Sequence, residues 1–377
     1  MLDGSATHPS LCFVAHNALG ALTGRADMHA GGIERQQALM AKWLARHGHR
    51  VGMITWDEGA VTDTVYDSVE LFRLCRRDAG LRGLRFFVPR WTSLNGALAR
   101  ADADIYYYNC GDLCLGQIAL WTRAHHKRLI FSVASDADCE STLPNLRGAR
   151  EKALYRYGLK SCDAIIVQTQ KQQRLLQREF GRDSVVLPMP CEGLPAIDRA
   201  NDDGSVRVLW IGRISAEKRP DWLLDVAERL PQRQFEIVGA ANAATAYARS
   251  VVERAQRMPN VTLTGRVPYD HVADCYRRAS ILCSTSAYEG FPNIFLEAWS
   301  AGIPVVATCD PDELIATRNL GRIGDTVGEL AAAIELLAQS SDLRRQVGTR
   351  AREYFRERHT VDHAMQGFVD FFVNSMS

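Results

Sequence analysis

The chain has no excess of charge of either sign: 45 lysines and arginines face 44 aspartates and glutamates over 377 residues, a formal net charge of +1. That balance supplies no global attraction to nucleic acid, and none is expected as a partner. No apolar run approaches the roughly 18 residues of a membrane span, and the N-terminus lacks a basic stretch followed by a hydrophobic core. We therefore expect a soluble, cytoplasmic chain. The ten cysteines contain no CxxC pair, and Cys110 with Cys114 has no matching second pair. Neither a metal site nor a disulfide framework is expected, and reduced structural thiols are the reading for each. Internal repeats and low-complexity segments are missing too. No Gly-x-Gly-x-x-Gly follows the first apolar run, which argues against a dinucleotide oxidoreductase.

What the chain does have is short apolar strands alternating with helices. In the first half the strands are expected at Leu11–His16, Arg50–Trp56, Leu84–Val88, Asp104–Tyr108, Arg128–Val133, Ala164–Gln168 and Val185–Leu187. In the second half they are expected at Val206–Ile211, Phe235–Val238, Val261–Thr264, Ile281–Cys283 and Val305–Ala307. Such alternation means an α/β fold with parallel sheets covered on both faces. The length exceeds what one core usually serves, so two doubly wound, Rossmann-like domains are expected. Pro188, Pro190, Gly193, Pro195 and Asn201–Gly204 cluster where composition shifts, the best candidate linker. Domains facing each other in this way would hold ligand in the crevice between them, at the carboxyl ends of the strands.

One stretch carries most of the chemistry. Ser286-Ala-Tyr-Glu-Gly-Phe-Pro-Asn-Ile-Phe-Leu-Glu-Ala298 reads as strand end, tight turn and helix start, with Pro292 in the first helical turn and the helix running to Gly302. The free N–H groups of that helix, with its positive dipole end, suit phosphate. Glu289 lies on the loop and Glu297 about one turn inside the helix, and a carboxylate can accept from two vicinal hydroxyls of a sugar or ribose. One phosphate site and two diol sites describe a nucleotide-sugar. Two glutamates at a solvated helix start would read the same way in isolation. A second loop, Gly212-Arg213 to Glu217-Lys218 before Pro220, puts two cations where a diphosphate could lie. A third element, Gly31-Gly32 opening the helix Ile33–His47 with Leu39, Trp43 and Leu44 on its apolar face, lets backbone approach a phosphate or sugar closely.

The Glu289-to-Glu297 string resembles the Glu-x7-Glu signature of retaining glycosyltransferases of the family 4 type. The Gly212–Lys218 loop resembles that family's Gly-Arg…Glu-Lys loop, and Gly31-Gly32-Ile33-Glu34 resembles its Gly-Gly-x-Glu element. The three matches run in the family's order over nearly the whole chain. The resemblance implies the GT-B architecture, with residues 1–190 as the acceptor-side domain, 191–205 as linker and 206–355 as the donor-side domain. Residues 356–377 would form a terminal helix returning to the first domain, with Phe368, Phe371 and Phe372 to bury. It also implies sugar transfer with retention from a UDP- or GDP-linked donor to a saccharide or glycolipid, in building surface polysaccharide or glycolipid, with no metal. On it, Arg213 and Lys218 hold the diphosphate, Glu289 orients the sugar and Glu297 the ribose. Gly212, Gly290, Phe291, Pro292 and Asn293 complete the donor site with Gly31 and Gly32.

Two departures from the family pattern stand out. Where relatives often carry a histidine after the strand Arg128–Val133, this chain has Ala134-Ser-Asp-Ala-Asp138. Asp136 or Asp138 would face the acceptor there, or serve as a cap or turn residue. After Pro304–Thr308 only Glu313 survives of the family's Gly-Gly-x-x-Glu. His16, at the end of the first strand, either touches ligand or packs. A basic run, Arg73 to Arg77 with Arg82, Arg85 and Arg90-Trp91, offers a peripheral contact with the inner membrane face or a solvated surface. From other classes, a sugar-nucleotide epimerase on the same fold would need an opposed acid–base pair, and none is identified. A non-catalytic binding protein would have no need of both glutamates with Arg213 and Lys218.

Overall fold

The structure, a computed structural model, describes residues 8–25, 28, 31–59, 64–195, 206–242 and 244–376. Of the linker expected at 191–205, residues 196–205 lie outside the described residues. The chain forms two compact units: one from Met1–Pro190 together with Val361–Ser377, the other Cys191–Thr360.

The first unit is built on β1 (Leu11–Val14), β2 (Val51–Asp57), β3 (Val65–Tyr66), β4 (Val69–Arg76), β5 (Ile105–Tyr108), β6 (Arg128–Ser132), β7 (Ala164–Val167) and β8 (Val185–Val186). They form one sheet in the order β3-β4-β2-β1-β5-β6-β7-β8. Every pairing is parallel except the β3–β4 hairpin. Strands β1 and β5 are buried along their whole length, as expected of central parallel strands covered on both faces. Odd and even residues divide between two cores. Cys12, Val14, Tyr106 and Tyr108 face one, while Leu11, Phe13, Ile105 and Tyr107 face the other. That second core is closed by the helix Gly32–Arg46, through Met40, Ala41 and Leu44, and by the terminal helix Val361–Asn374, through Met365, Phe368 and Phe372. Trp43 Nε1 donates to Asp362 Oδ1 at 2.7 Å and fixes one helix against the other. Leu39 and Trp43, expected on the apolar face, are only partly buried, because the helix turns Gln37, Met40 and Leu44 inward.

One expectation fails at the sheet edge, and two strands not expected from the sequence, β3 and β4, appear there. Leu84–Val88 is not a strand: Arg85 N and Val88 N donate to Leu81 O (2.8 Å) and Leu84 O (3.0 Å), so the backbone closes on itself in turns. The place beside β2 is taken by β4, which enters through a hairpin whose turn residues Asp67 and Ser68 both have positive φ, 46° and 66°. Turns of that hand normally use Asn-Gly or Asp-Gly, so a glycine-free turn leaves no sequence signal.

The second unit carries β9 (Arg207–Ile211), β10 (Gln234–Val238), β11 (Val261–Gly265), β12 (Ile281–Ser284), β13 (Val305–Ala307) and β14 (Gly321–Ile323). Their order is β11-β10-β9-β12-β13-β14, all parallel. The chain crosses from one side of β9 to the other between β11 and β12, so the loops after β9 and β12 leave neighbouring strands whose connections run to opposite sides. That is the position at which open parallel sheets hold ligand. The helices Pro220–Arg229 and Asn293–Ser300 follow those two loops. Among the described residues, no helix is long and apolar enough to cross a membrane.

Candidate functional site

In the second unit the loop after β9 turns tightly: Lys218 N and Arg219 N both donate to Ser215 O, at 3.0 and 3.2 Å. Arg219 adopts a left-handed conformation (φ 46°) so that Pro220 can open the next helix. The loop after β12 lies directly against it. Thr285, fully buried, is the knot: its hydroxyl lies 2.8 Å from Lys218 O and 2.7 Å from Arg219 O and accepts from Trp210 Nε1 at 3.0 Å. Arg219 returns the contact, donating to Thr285 O (2.7 Å) and Ser286 O (3.1 Å) while its guanidinium lies 4.1 Å over the Trp222 ring. Ala287 N donates to Glu217 O at 2.8 Å. A third loop joins where Thr308 Oγ1 donates to Ser286 O at 2.7 Å.

This stitching brings the two charged strings together. Lys218 and Glu289, 71 positions apart, form a partly buried ion pair. Arg213 pairs with Glu217 at 2.7 Å on the exposed side of the same loop. Glu297 is half-buried in its helix and accepts from Tyr276 Oη at 2.7 Å. Pro292 is the residue before the helix Asn293–Ser300 rather than part of its first turn, and no side chain caps the helix. Its first turn also holds no acidic residue, so no side-chain carboxylate within the turn offsets the positive end of the helix dipole, while Phe295 N donates to Pro292 O at 3.0 Å. Phe291 is buried, its ring edge-on to Trp299 (6.0 Å) and against His359 (5.2 Å). It therefore anchors the loop through its side chain and can offer ligand only its backbone. Gly212 N donates to Val238 O at 3.0 Å. Opposite it, a Cβ at Gly239 would stand 1.8 Å from Gly212 O, so the two loop backbones touch where no side chain fits.

After β13, Asp310 accepts from Ile315 N (2.7 Å) and Ala316 N (3.0 Å), and Asp312 and Glu313 both take positive φ. Glu313 thus precedes the short helix Leu314–Arg318.

The remaining candidates are in the first unit. Gly31 has an ordinary extended backbone (φ −80°, ψ 178°) and precedes the helix that Gly32 begins. What glycine provides at 31 is room, since a Cβ there would stand 2.4 Å from the Glu34 carboxylate folded back over it. His16 packs against Trp56 (5.0 Å) and lies edge-on to Tyr108 (6.2 Å). Burial holds its pKa below the usual histidine value, only partly opposed by Asp112. Asp138 is buried and accepts from Ala134 N (3.2 Å) and Ser135 N (3.0 Å), completing a capping box with Ser135. Desolvation raises its carboxyl to about 6 in spite of those bonds. Asp136 pairs with Lys171 (2.7 Å) and accepts from Gln172 Nε2 (3.2 Å). Its carboxylate is the more accessible of the two. All ten thiols are free, and those of Cys110 and Cys114 lie far above the usual range because they are buried beside Asp112.

Sequence reasoning missed Trp210, Thr285, Arg219, Tyr276 and Gly239. Arg219 precedes a proline at a helix start, which is a signal for a boundary but not for a clamp. The others act through contacts with no counterpart in local spacing.

Two family models match the chain: "Glycosyl transferase 4-like domain" over residues 31–192 and "Glycosyl transferases group 1" over residues 205–340. The chain is 22% identical to an uncharacterized glycosyltransferase of Haemophilus influenzae over 86% of its own length and 91% of that protein's. It is 25% identical to D-inositol 3-phosphate glycosyltransferase of Rhodococcus erythropolis over 56% of this chain, spanning about half (54%) of that relative. Among solved structures, sucrose-phosphate synthase of Thermosynechococcus elongatus is similar with a TM-score of 0.81 at 18% identity, covering 98% of this chain and 99% of that one. HepE of Anabaena, solved with UDP and glucose, is similar with a TM-score of 0.74 at 16% identity, covering 97% and 99%.

Proposed function

The chain is a GT-B glycosyltransferase of the family 4 type, and we propose that it transfers sugar with retention from a UDP- or GDP-linked donor to a hydroxyl acceptor, without a metal. The observation that carries this reading is the Lys218–Glu289 pair beside the uncapped N-terminus of Asn293–Ser300. A cation, a carboxylate and a helix start without a side-chain cap are the three features a sugar diphosphate would use, and they support the reading.

In this mechanism the donor diphosphate displaces Glu289 from Lys218 and Glu217 from Arg213, so both cations turn to phosphate oxygens. The helix N–H groups take the remaining charge. The bond from the anomeric carbon to the phosphate oxygen breaks, and the bond to the acceptor oxygen forms on the same face. The acceptor's proton passes to the departing phosphate oxygen, and the nucleoside diphosphate leaves with its charge neutralised by Lys218 and Arg213. Glu289, released from Lys218, accepts from sugar hydroxyls, while Glu297 accepts from the ribose with Tyr276 holding its other oxygen. Gly212 and Gly290 keep the loops low enough for the diphosphate. His16 and Asp136 face a saccharide or glycolipid acceptor destined for surface polysaccharide or glycolipid, at the inner face of a membrane.

Thermal shift with UDP, GDP, ADP and their sugars tests the reading. A ligand at a hundredfold excess over Kd stabilises the folded state by about 2.7 kcal/mol. Lys218→Ala should weaken the responding nucleotide roughly ten- to hundredfold, the value of one charge-assisted contact. An undiminished response in Lys218→Ala would refute the phosphate assignment.

A further inference from the structure

Four of the strongly exposed large hydrophobic side chains among the described residues fall within eight consecutive positions: Leu81, Leu84, Phe87 and Val88, between 53% and 75% exposed. The segment that carries them has its own internal hydrogen bonds. Leu84 N and Arg85 N donate to Leu81 O, and Phe87 N and Val88 N to Leu84 O, all within 3.1 Å. Its inner side is anchored, with Phe86 edge-on to Trp91 at 5.4 Å and the Arg150 guanidinium 4.0 Å over the Phe86 ring. From Arg73 to Trp91 the sequence holds six arginines and one acid, Asp78, in a chain whose formal net charge is only +1.

We propose that this segment, residues 77–91, docks the protein onto an anionic lipid surface, with Leu81, Leu84, Phe87 and Val88 entering the headgroup boundary and the exposed Arg77 and Arg82 holding lipid phosphates. A lipid interface favours local backbone satisfaction, exposed apolar side chains and neighbouring basic residues, and this segment has all three. The charge also decides against a second copy of the chain, since a symmetric contact through this segment would set arginine against arginine. The patch leads back to the acceptor-side residues. Arg90 lies 5.9 Å over the Trp56 ring, which packs at a tilt against His16, with ring centroids 5.0 Å apart. This last link rests on the glycolipid form of the function proposed above, whereas docking itself does not.

Flotation of the full chain with phosphatidylcholine vesicles, with and without phosphatidylglycerol, tests the inference. Wild-type protein is expected to float with the anionic vesicles, less so at high salt, and to remain behind with phosphatidylcholine alone. The triple variant Leu81→Ser/Leu84→Ser/Val88→Ser should lose about tenfold or more in partition. Arg77→Gln/Arg82→Gln should lose roughly fivefold per arginine together with most of the salt dependence. Wild-type protein that ignores anionic vesicles, or a triple variant that floats equally well, overturns the proposal. A wild-type dimer that the three serines dissociate would give the face to a second copy and overturn it too. Nucleotide-induced thermal shifts on the same preparations read the donor site separately, because none of these substitutions touches the second unit.

Discussion

Lys218 and Glu289 neutralise each other in the structure, and the proposed mechanism gives the two halves of that pair different fates when donor binds. Lys218 exchanges one anionic partner for another, whereas Glu289 exchanges a cation for neutral hydroxyls. Substituting each should therefore separate binding from transfer. Glu289→Gln frees Lys218 from a competing carboxylate, so nucleoside diphosphate affinity should hold or improve slightly. Transfer should fall on the order of a hundredfold, as misplacement of a reacting group does. Calorimetry for the nucleotide and a donor-turnover assay check the two arms, and parallel losses in both would sink the division of roles. A second residue-scale consequence concerns Asp138. Its carboxyl is pushed up to about 6 by burial, against 3.8 unperturbed. Between those values the folded state holds the proton more tightly than the unfolded chain, so stability falls as pH rises through the window and levels off above it. The loss amounts to about 3 kcal/mol. Asp138→Asn cannot titrate and should show none of this slope. Melting curves of both proteins from pH 4 to 7.5 test it, and parallel pH profiles would contradict the shift.

Elements defined by a single local pattern were readable from the sequence, while those defined by their neighbours were not. Strands β1, β5, β9 and β12 announce themselves as apolar runs because parallel strands are covered on both faces. Strand β4 alternates buried Val69, Leu71 and Leu74 with more exposed residues, and its hairpin turns on Asp67-Ser68 without glycine, so nothing local marks it. Conversely Leu84–Val88 has strand-like composition but meets no sheet edge, and it closes on its own backbone instead. The site divides in the same way. Glu289, Glu297, Arg213 and Lys218 stand in strings whose spacing has chemical meaning, but what holds those strings together is Thr285, whose contacts span 66 to 75 positions. Thr285→Val keeps the volume and removes only the hydroxyl, leaving the buried Trp210 N–H and two loop carbonyls without that partner. Such orphaned groups cost about 1–3 kcal/mol each. The variant should melt lower, and the Lys218 loop should loosen, weakening nucleotide binding although no ligand-facing atom has changed. Unchanged nucleotide affinity in a destabilised variant would show that the clamp serves the fold alone.

At the scale of the whole molecule, the first unit is discontinuous in sequence, with its second core completed by the last helix of the chain. Met365, Phe368 and Phe372 are fully buried there, Phe372 edge-on to Tyr107 at 6.2 Å, and Asp362 accepts from Trp43. Burying a large apolar side chain is worth roughly 1.5–3 kcal/mol, so three of them approach the entire net stability of an ordinary domain. The second unit draws none of its core from this helix: its two clusters contain only residues between Cys191 and Phe355. Removing residues 361–377 should therefore act on one unit and spare the other. Thermal unfolding of the truncated chain should lose the transition of the first unit, which would also expose Phe13, Met40 and Tyr107 and bind a hydrophobic dye at low temperature. The transition of the second unit should persist and should still rise with whichever nucleotide stabilises the intact protein, since Lys218, Glu289 and the helix Asn293–Ser300 all lie within Cys191–Thr360. If truncation abolished both transitions, the second unit would depend on the first for its stability. If it abolished neither, the contacts of Phe368 and Phe372 would contribute far less than their burial implies.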